Sequence, residues 1–309
     1  MQRFKPKTFL LPALAAFCMP ALAHSPYLLP GNVKTRSVLS VEAALTDNLF
    51  LPDMAYGNHG FSFTTPSGKT EKIPDEAVFT LPTRTIMEYK LTDPEAGTYR
   101  VTAGPRISQS RSWEINGETK RSRDPNEAIP EGAVLKSNSE SHASLDVYIT
   151  VGKAETPSIP KASGQGLEFV PITHPNQLTV AGVFEFVVQF NGKPLAGHDV
   201  SISYSNRDYS GKSSRASVKT DASGKARYKL DKPGLYMASV RFSEEGAVSA
   251  DKPNLSYSKT LTFNVTAPSE SAKGEGRAEG QGRGQGGREG GQRGERGEGR
   301  GEGRMQRQQ

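Results

Sequence analysis

A chain of 309 residues with a formal net charge of +6 and one cysteine has length for about two ordinary domains, and it must hold them without disulfides. The positive balance does not mark a nucleic-acid binder. Between positions 24 and 273 there are 28 basic and 27 acidic side chains, so the excess lies at the two ends and no basic face for a phosphate backbone is implied.

At the N-terminus, Arg3, Lys5 and Lys7 precede a mostly apolar run at 8–20 and the small-x-small triplet Ala21-Leu22-Ala23. This is the pattern of a secretory signal peptide over 1–23, and it predicts a periplasmic protein. The apolar run is too short and too broken by proline for a membrane span, which takes about 20 residues, so an integral membrane protein is not expected. A lipoprotein signal acylated at Cys18 is the rival reading, but it would place bulky Phe17 where a small residue is required. Cleavage after Ala23 leaves His24 as the first residue and discards the cysteine.

From Ser37 onward, short β-branched and aromatic runs alternate with turn residues. Strand-like pieces are "SVLSVEAAL" (37–45), two flanking Pro66-Ser67-Gly68, "YRVTAG" (99–104) and "SLDVYITVG" (144–152). In the last of these, Leu145, Val147, Ile149 and Val151 keep strict period-two alternation. The habit returns in "VFEFVVQF", "DVSISYSN", "LYMASVRF" and "LTFNVT". Many strands at roughly 8–12-residue spacing, with no long 3.6-residue period, predict an all-β protein. The expected layout is a β-sandwich at 24–152, a Pro/Gly/Ser-rich linker at 153–165 and a second, immunoglobulin-like sandwich at 166–267. Both halves carry Leu-x-x-Pro, then Gly, then a tyrosine entering a strand, at Tyr99 and Tyr236, which is the pattern of a tyrosine corner. "EINGETK" reads as a hairpin around Asn-Gly, with Trp113 beside it as a cross-strand or interdomain anchor. The tail at 268–309 changes composition: the last 36 residues hold fourteen glycines, with Arg and Glu alternating, and disorder is expected there.

No Gly-x-Ser-x-Gly elbow occurs, so a serine hydrolase is not expected. "TDASGK" lacks the phosphate-loop spacing and reads as a hairpin turn. No carboxylate pair stands out from solvated loop charges. The five histidines are His24, His59, His142, His174 and His198, with no short metal-binding spacing among them. His24 is the special case: at a free N-terminus its α-amine and ring Nδ1 can close a chelate. A second imidazole from His59, His142 or His174 would complete a nitrogen-rich set suited to Cu(II) or Ni(II). The alternative is that cleavage leaves a histidine there by chance. His174, followed by Pro175 and Asn176, also reads as a turn or interface residue, and His59 and His198 as solvent-facing.

Several stretches together resemble a known family: "AHSPYLLP" after the leader, "LTDNLFLPD", "AGTYRVTAG", "SRSWEINGETKRSR", "GQGLEFVPITHPNQL", "NGKPLAGHDVSI" and "TDASGKARYKLDKPGLY". They are similar to the periplasmic proteins grouped as domain-of-unknown-function family 4198, some labelled nickel-uptake-associated or nickel/cobalt-transporter-like. The resemblance implies immunoglobulin-like or transthyretin-like β-sandwiches and carries no established enzymatic activity, so an enzyme is not expected. It further implies a divalent transition metal (nickel, cobalt or copper) as ligand and an envelope transport protein as partner. It draws attention to His24, Pro26, Pro30, Trp113 and His174. Where the family often has histidine or aromatic residues after "DNLF", this chain has Leu51 and Met54, the latter a soft ligand for Cu(I). Two functions follow: a metal-uptake accessory protein built on His24, or a metal-independent envelope module that binds a protein or glycan.

Overall fold

The computed structural model describes residues 25–152, 158–207, 214–244 and 246–267. The expected leader, His24, positions 153–157 of the expected linker and the tail at 268–309 lie outside the described residues. The first half runs through β1 (Ser25–Pro30), β2 (Lys34–Thr35), β3 (Val38–Thr46), β4 (Met54–Ala55), β5 (Phe61–Thr64) and β6 (Thr70–Ile73), then β7 (Val78–Thr80), β8 (Thr85–Lys90), β9 (Gly97–Ile115), β10 (Glu118–Ser122) and β11 (Val134–Val151). The second half has β12 (Leu167–Pro171), β13 (Val183–Phe190), β14 (Lys193–Pro194) and β15 (Asp199–Ser205), then β16 (Ser214–Lys219), β17 (Lys225–Lys229), β18 (Gly234–Ser243) and β19 (Asn254–Val265). A 3-10 turn at Asp75–Ala77 is the only helical element among the described residues, so the all-β expectation holds.

Three sheets result. One orders as β1-β3-β8-β7, with β4 on β3; another as β12-β13-β14, with β17 on β13. Between them runs a ten-stranded sheet, β16-β15-β18-β19-β11-β9-β5-β6, to which β10 and β2 also pair. Its two halves are stitched by parallel pairing of β11 with β19, from Ser139↔Asn254 to Val147↔Thr262. The expected boundary at 153–165 therefore marks where the chain passes from one core to the other, while one hydrogen-bonded sheet crosses between them.

Strand alternation explains why the shared sheet carries two cores. On one face Tyr99, Val101 and Ala103 of β9 and Leu145, Val147 and Ile149 of β11 pack with Leu39, Val41 and Met87 of the first small sheet. Farther along, Ile202, Ala238, Leu261 and Phe263 pack with Phe169, Phe184 and Phe186 of the other small sheet. Each such side chain taken fully from water contributes about 1.5–3 kcal/mol. A third cluster, including Tyr27, Phe50 and Met237, joins the outer side of β1 to β18.

The local signals resolve in detail. Asn116 and Gly117 both have positive φ (54° and 77°), as a two-residue hairpin between β9 and β10 requires. The Tyr236 hydroxyl donates to the Lys232 carbonyl at 3.0 Å and forms a tyrosine corner, while Tyr99 is buried in the first core. Trp113 is buried, cross-strand from Lys120 and Leu135. One reading needs correction. "TDASGK" is a tight turn, with Asp221 N–H donating to the Lys225 carbonyl, but it is not a hairpin. Strand β16 pairs with β15 and β17 pairs with β13, so the turn carries the chain from one sheet of the sandwich to the other. Turn chemistry fixes the reversal; it does not fix which strands pair.

Candidate ligand cleft

The second face of β9 and β11 is polar. Opposite the apolar row just described, β9 presents Thr98, Arg100 and Thr102, paired in register with Thr150, Tyr148 and Asp146 of β11. The second sandwich covers this face with the loop before β12, with β12 itself and with the turn after it. Four acidic or basic side chains are thereby buried: Asp146 is 2% exposed, Glu168 4%, Lys259 5% and Arg100 7%. Sequence inspection passed over Asp146 and Glu168 as ordinary solvated carboxylates; the covering layer makes them interior.

Each charge has a defined partner. Lys259 Nζ donates to Asp146 Oδ1 at 2.7 Å, and the Thr102 hydroxyl donates to the same oxygen at 2.7 Å. Arg100 Nη1 reaches Glu168 Oε1 at 3.3 Å and Nη2 reaches the Thr64 hydroxyl at 3.4 Å, while Nε has no partner. These are long contacts for a guanidinium. Glu168 is better served: its Oε1 accepts from the Ser163 N–H and hydroxyl, and its Oε2 from the Gly164 N–H and Gln189 Nε2. Burial opposes the Glu168 charge, but the hydrogen bonds from Gln189, Ser163 and Gly164 prevail and hold its pKa below the usual carboxylate range. For Arg100, burial is likewise outweighed, here by Asp146, Tyr148 and Glu168, and the guanidinium stays charged. Burial, reinforced by Asp146, pushes the Tyr148 phenol far above its ordinary value.

Of these groups Arg100, Thr102, Glu168 and Lys259 form the floor of a cleft of about 650 Å³ between the two sandwiches. One wall is made of hydroxyls: Ser62, Thr64 and Thr70 from β5 and β6, with Ser144 from β11. The other carries Gln165 and Gly166 ahead of β12, and Tyr257 and Ser258 from β19. His142 stands at the rim, its ring 5.3 Å from that of Tyr257, and its Nε2 donates to Glu140 Oε1 at 2.7 Å. Gln109 donates to the other Glu140 oxygen; it and His142 keep that carboxyl below its normal pKa.

The histidines singled out from the sequence do not converge on one point. His174 lies at the far end of the polar layer, where Nδ1 accepts the Asn176 N–H at 3.1 Å, so Nε2 is the protonated nitrogen and donates to the Thr98 hydroxyl at 2.9 Å. Both ring nitrogens are thus engaged inside the fold, and burial lowers its pKa. His59 is exposed, edge-on to Tyr56, in a neighbouring recess that shares Ser62, Gly104 and Pro105 with the cleft. Its pKa is lowered by burial and by the Arg106 cation, which also disfavours a metal dication there. Met54 is exposed on β4. Among the described residues no group of three or more His, Cys, Asp or Glu side chains could hold a metal ion, and His24 falls outside them.

An all-β protein with two sandwich cores on one shared sheet and a polar cleft between them is the class that fold and site define. The chain belongs to a family described as a domain of unknown function (DUF4198), whose model matches residues 21–244. No curated protein matches the sequence. Among solved structures, it is similar to the D0-D1 domain of intimin at 14% identity, over 76% of this chain and 96% of that one, with a TM-score of 0.19. It is also similar to a tetra-tandem repeat in the extending region of a large adhesion protein: 11% identity, 79% of this chain and 49% of that one, TM-score 0.21. The FN1-FN3 domains of chicken CNTN1 match at 9% identity over 79% and 99%, TM-score 0.19. Similarity at these scores carries no functional argument. No helix among the described residues is long and apolar enough to cross a membrane.

Proposed function

We propose that this protein is an exported, non-catalytic envelope-interaction module that holds a glycan segment in the cleft between its two sandwiches. The observation that carries this reading is the cleft's lining. Hydroxyls and an amide converge there on a recess of about 650 Å³, beside the paired rings of His142 and Tyr257. That size is ordinary for a small-molecule site. Saccharides present the complementary surface: many hydroxyls that donate and accept at once, and ring faces that pack on aromatic side chains. The buried ion pairs below give the floor fixed dipoles without net charge, which suits an uncharged polar ligand.

Binding to an oligosaccharide array tests this directly. The full-length secreted protein should bind at least one oligosaccharide in the presence of a chelator, and Tyr257→Ala or Gln165→Ala should weaken that binding at least tenfold with the fold intact by circular dichroism. Binding unchanged in both variants would overturn the assignment to the cleft. The metal-uptake reading rests on His24 alone: tight Ni(II), Co(II) or Cu(II) binding that His24→Ala abolishes, with no glycan bound by the unmodified protein, would put that reading first.

A further inference from the structure

A second polar groove lies away from the cleft, on the open face of β15, β16 and β18, with a volume of about 480 Å³. Ser201 and Ser239 sit side by side in register across β15 and β18 and form its floor. Arg215, on the neighbouring β16, lays its side chain over them: its Nε donates to the Ser201 hydroxyl at 2.7 Å, which fixes the guanidinium above the serine pair. Arg241 of β18 lines the same groove, is exposed and forms no ion pair among the described residues. His198 closes one end. Its Nδ1–H donates to the Ala196 carbonyl at 3.1 Å, so Nε2 is left for a ligand, and its ring leans on Phe242 at 5.9 Å. Among the described residues of the lining, Asp199 is the one carboxylate, and it lies 3.9 Å from Lys219.

We infer that this groove binds an oxyanionic saccharide, with the phosphate or carboxylate held by Arg215 and Arg241 and the sugar hydroxyls by Ser201, Ser239 and His198 Nε2. Two guanidinium groups over one hydroxyl floor match the planar, two-toothed recognition of such anions, and the lining carries a net positive charge. The groove falls in the roughly 300–1,000 Å³ range of small-molecule sites, more than an isolated oxyanion fills. Serine hydroxyls and a free imidazole nitrogen serve the uncharged remainder of such a ligand.

The test titrates the full-length protein at 0.15 M salt with glucose 6-phosphate, glucuronate, glucose and inorganic phosphate, followed by amide chemical shifts. Glucose 6-phosphate or glucuronate should bind saturably and shift Ser201 and Ser239. Glucose and inorganic phosphate should each bind at least tenfold more weakly than the better of the two. Arg241→Ala, an exposed change that leaves the fold intact, should weaken the charged sugar at least tenfold, and Arg215→Ala should do the same. No saturable binding of either charged sugar, glucose or phosphate binding as tightly as the charged sugars, or full binding by Arg241→Ala would overturn the assignment.

Discussion

Strands β9 and β11 present two faces that do opposite work. One face buries Val101, Ala103, Leu145, Val147 and Ile149 in an apolar core, while the other, one residue out of step, carries Thr98, Arg100, Thr102, Asp146, Tyr148 and Thr150 against the second sandwich. The apolar face stabilises by area removed from water and is tolerant of direction. The polar face stabilises little in net terms, since burying charge offsets most of what pairing returns, but it accepts only one arrangement of partners. It thereby specifies how the two sandwiches meet, and the cleft sits where that specification is made.

This contrast can be broken at either face, and the effects rank by mechanism. Lys259→Met removes the cation that partners Asp146, which is 2% exposed, and should cost about 3–5 kcal/mol in urea denaturation. Replacing Asp146 by Leu in the same chain should restore most of that loss; equal stability of the single and double variants would remove the polar-face account. On the apolar face, Leu145→Ala should cost about 3 kcal/mol, and no second substitution of the Asp146 kind should rescue it. Tyr236→Phe, which loses the corner hydrogen bond to Lys232, should cost about 1 kcal/mol.

The smallest effect concerns pH. His174 is neutral in the fold with a pKa below its ordinary 6.5, so the unfolded chain binds the proton more readily. Its contribution is present above pH 6.5 and is lost as pH falls through the lowered folded value. Glu168 follows the same sign about its ordinary 4.5: its contribution is present above that value and declines below it. A stability profile from pH 7.5 downward should therefore fall in two stages, and His174→Gln should shrink the first, to which His59 also contributes, while leaving the second.

The strands of the apolar face were legible because alternation alone marks Leu145 to Val151. The Tyr236 corner and the Asn116-Gly117 hairpin were legible for the same reason: their chemistry is local. The site was less so. Arg100, Asp146, Glu168 and Lys259 each sit inside a quoted or neighbouring strand run, where a charge between apolar neighbours reads as the solvent side of a strand. Only the second sandwich, placed over that side by pairing of β11 with β19 across more than a hundred residues of chain, turns it inward. His142 was singled out as a metal ligand and does line the cleft, but through a bond to Glu140 and a ring contact with Tyr257. His174 was read both as ligand and as interface residue, and its two hydrogen bonds are those of an interface residue. One charged residue inside an otherwise apolar run, at Arg100, Asp146, Glu168 and Lys259 in four different strands, is the one signal of the polar layer that the sequence carries.

The most direct measurement is calorimetric titration of the chelator-treated, full-length protein with the best oligosaccharide from an array, alongside Tyr257→Ala and His24→Ala. The account predicts saturable binding that His24→Ala retains and Tyr257→Ala loses at least tenfold. Binding that needs added metal, or that disappears with His24 and survives loss of Tyr257, would contradict it.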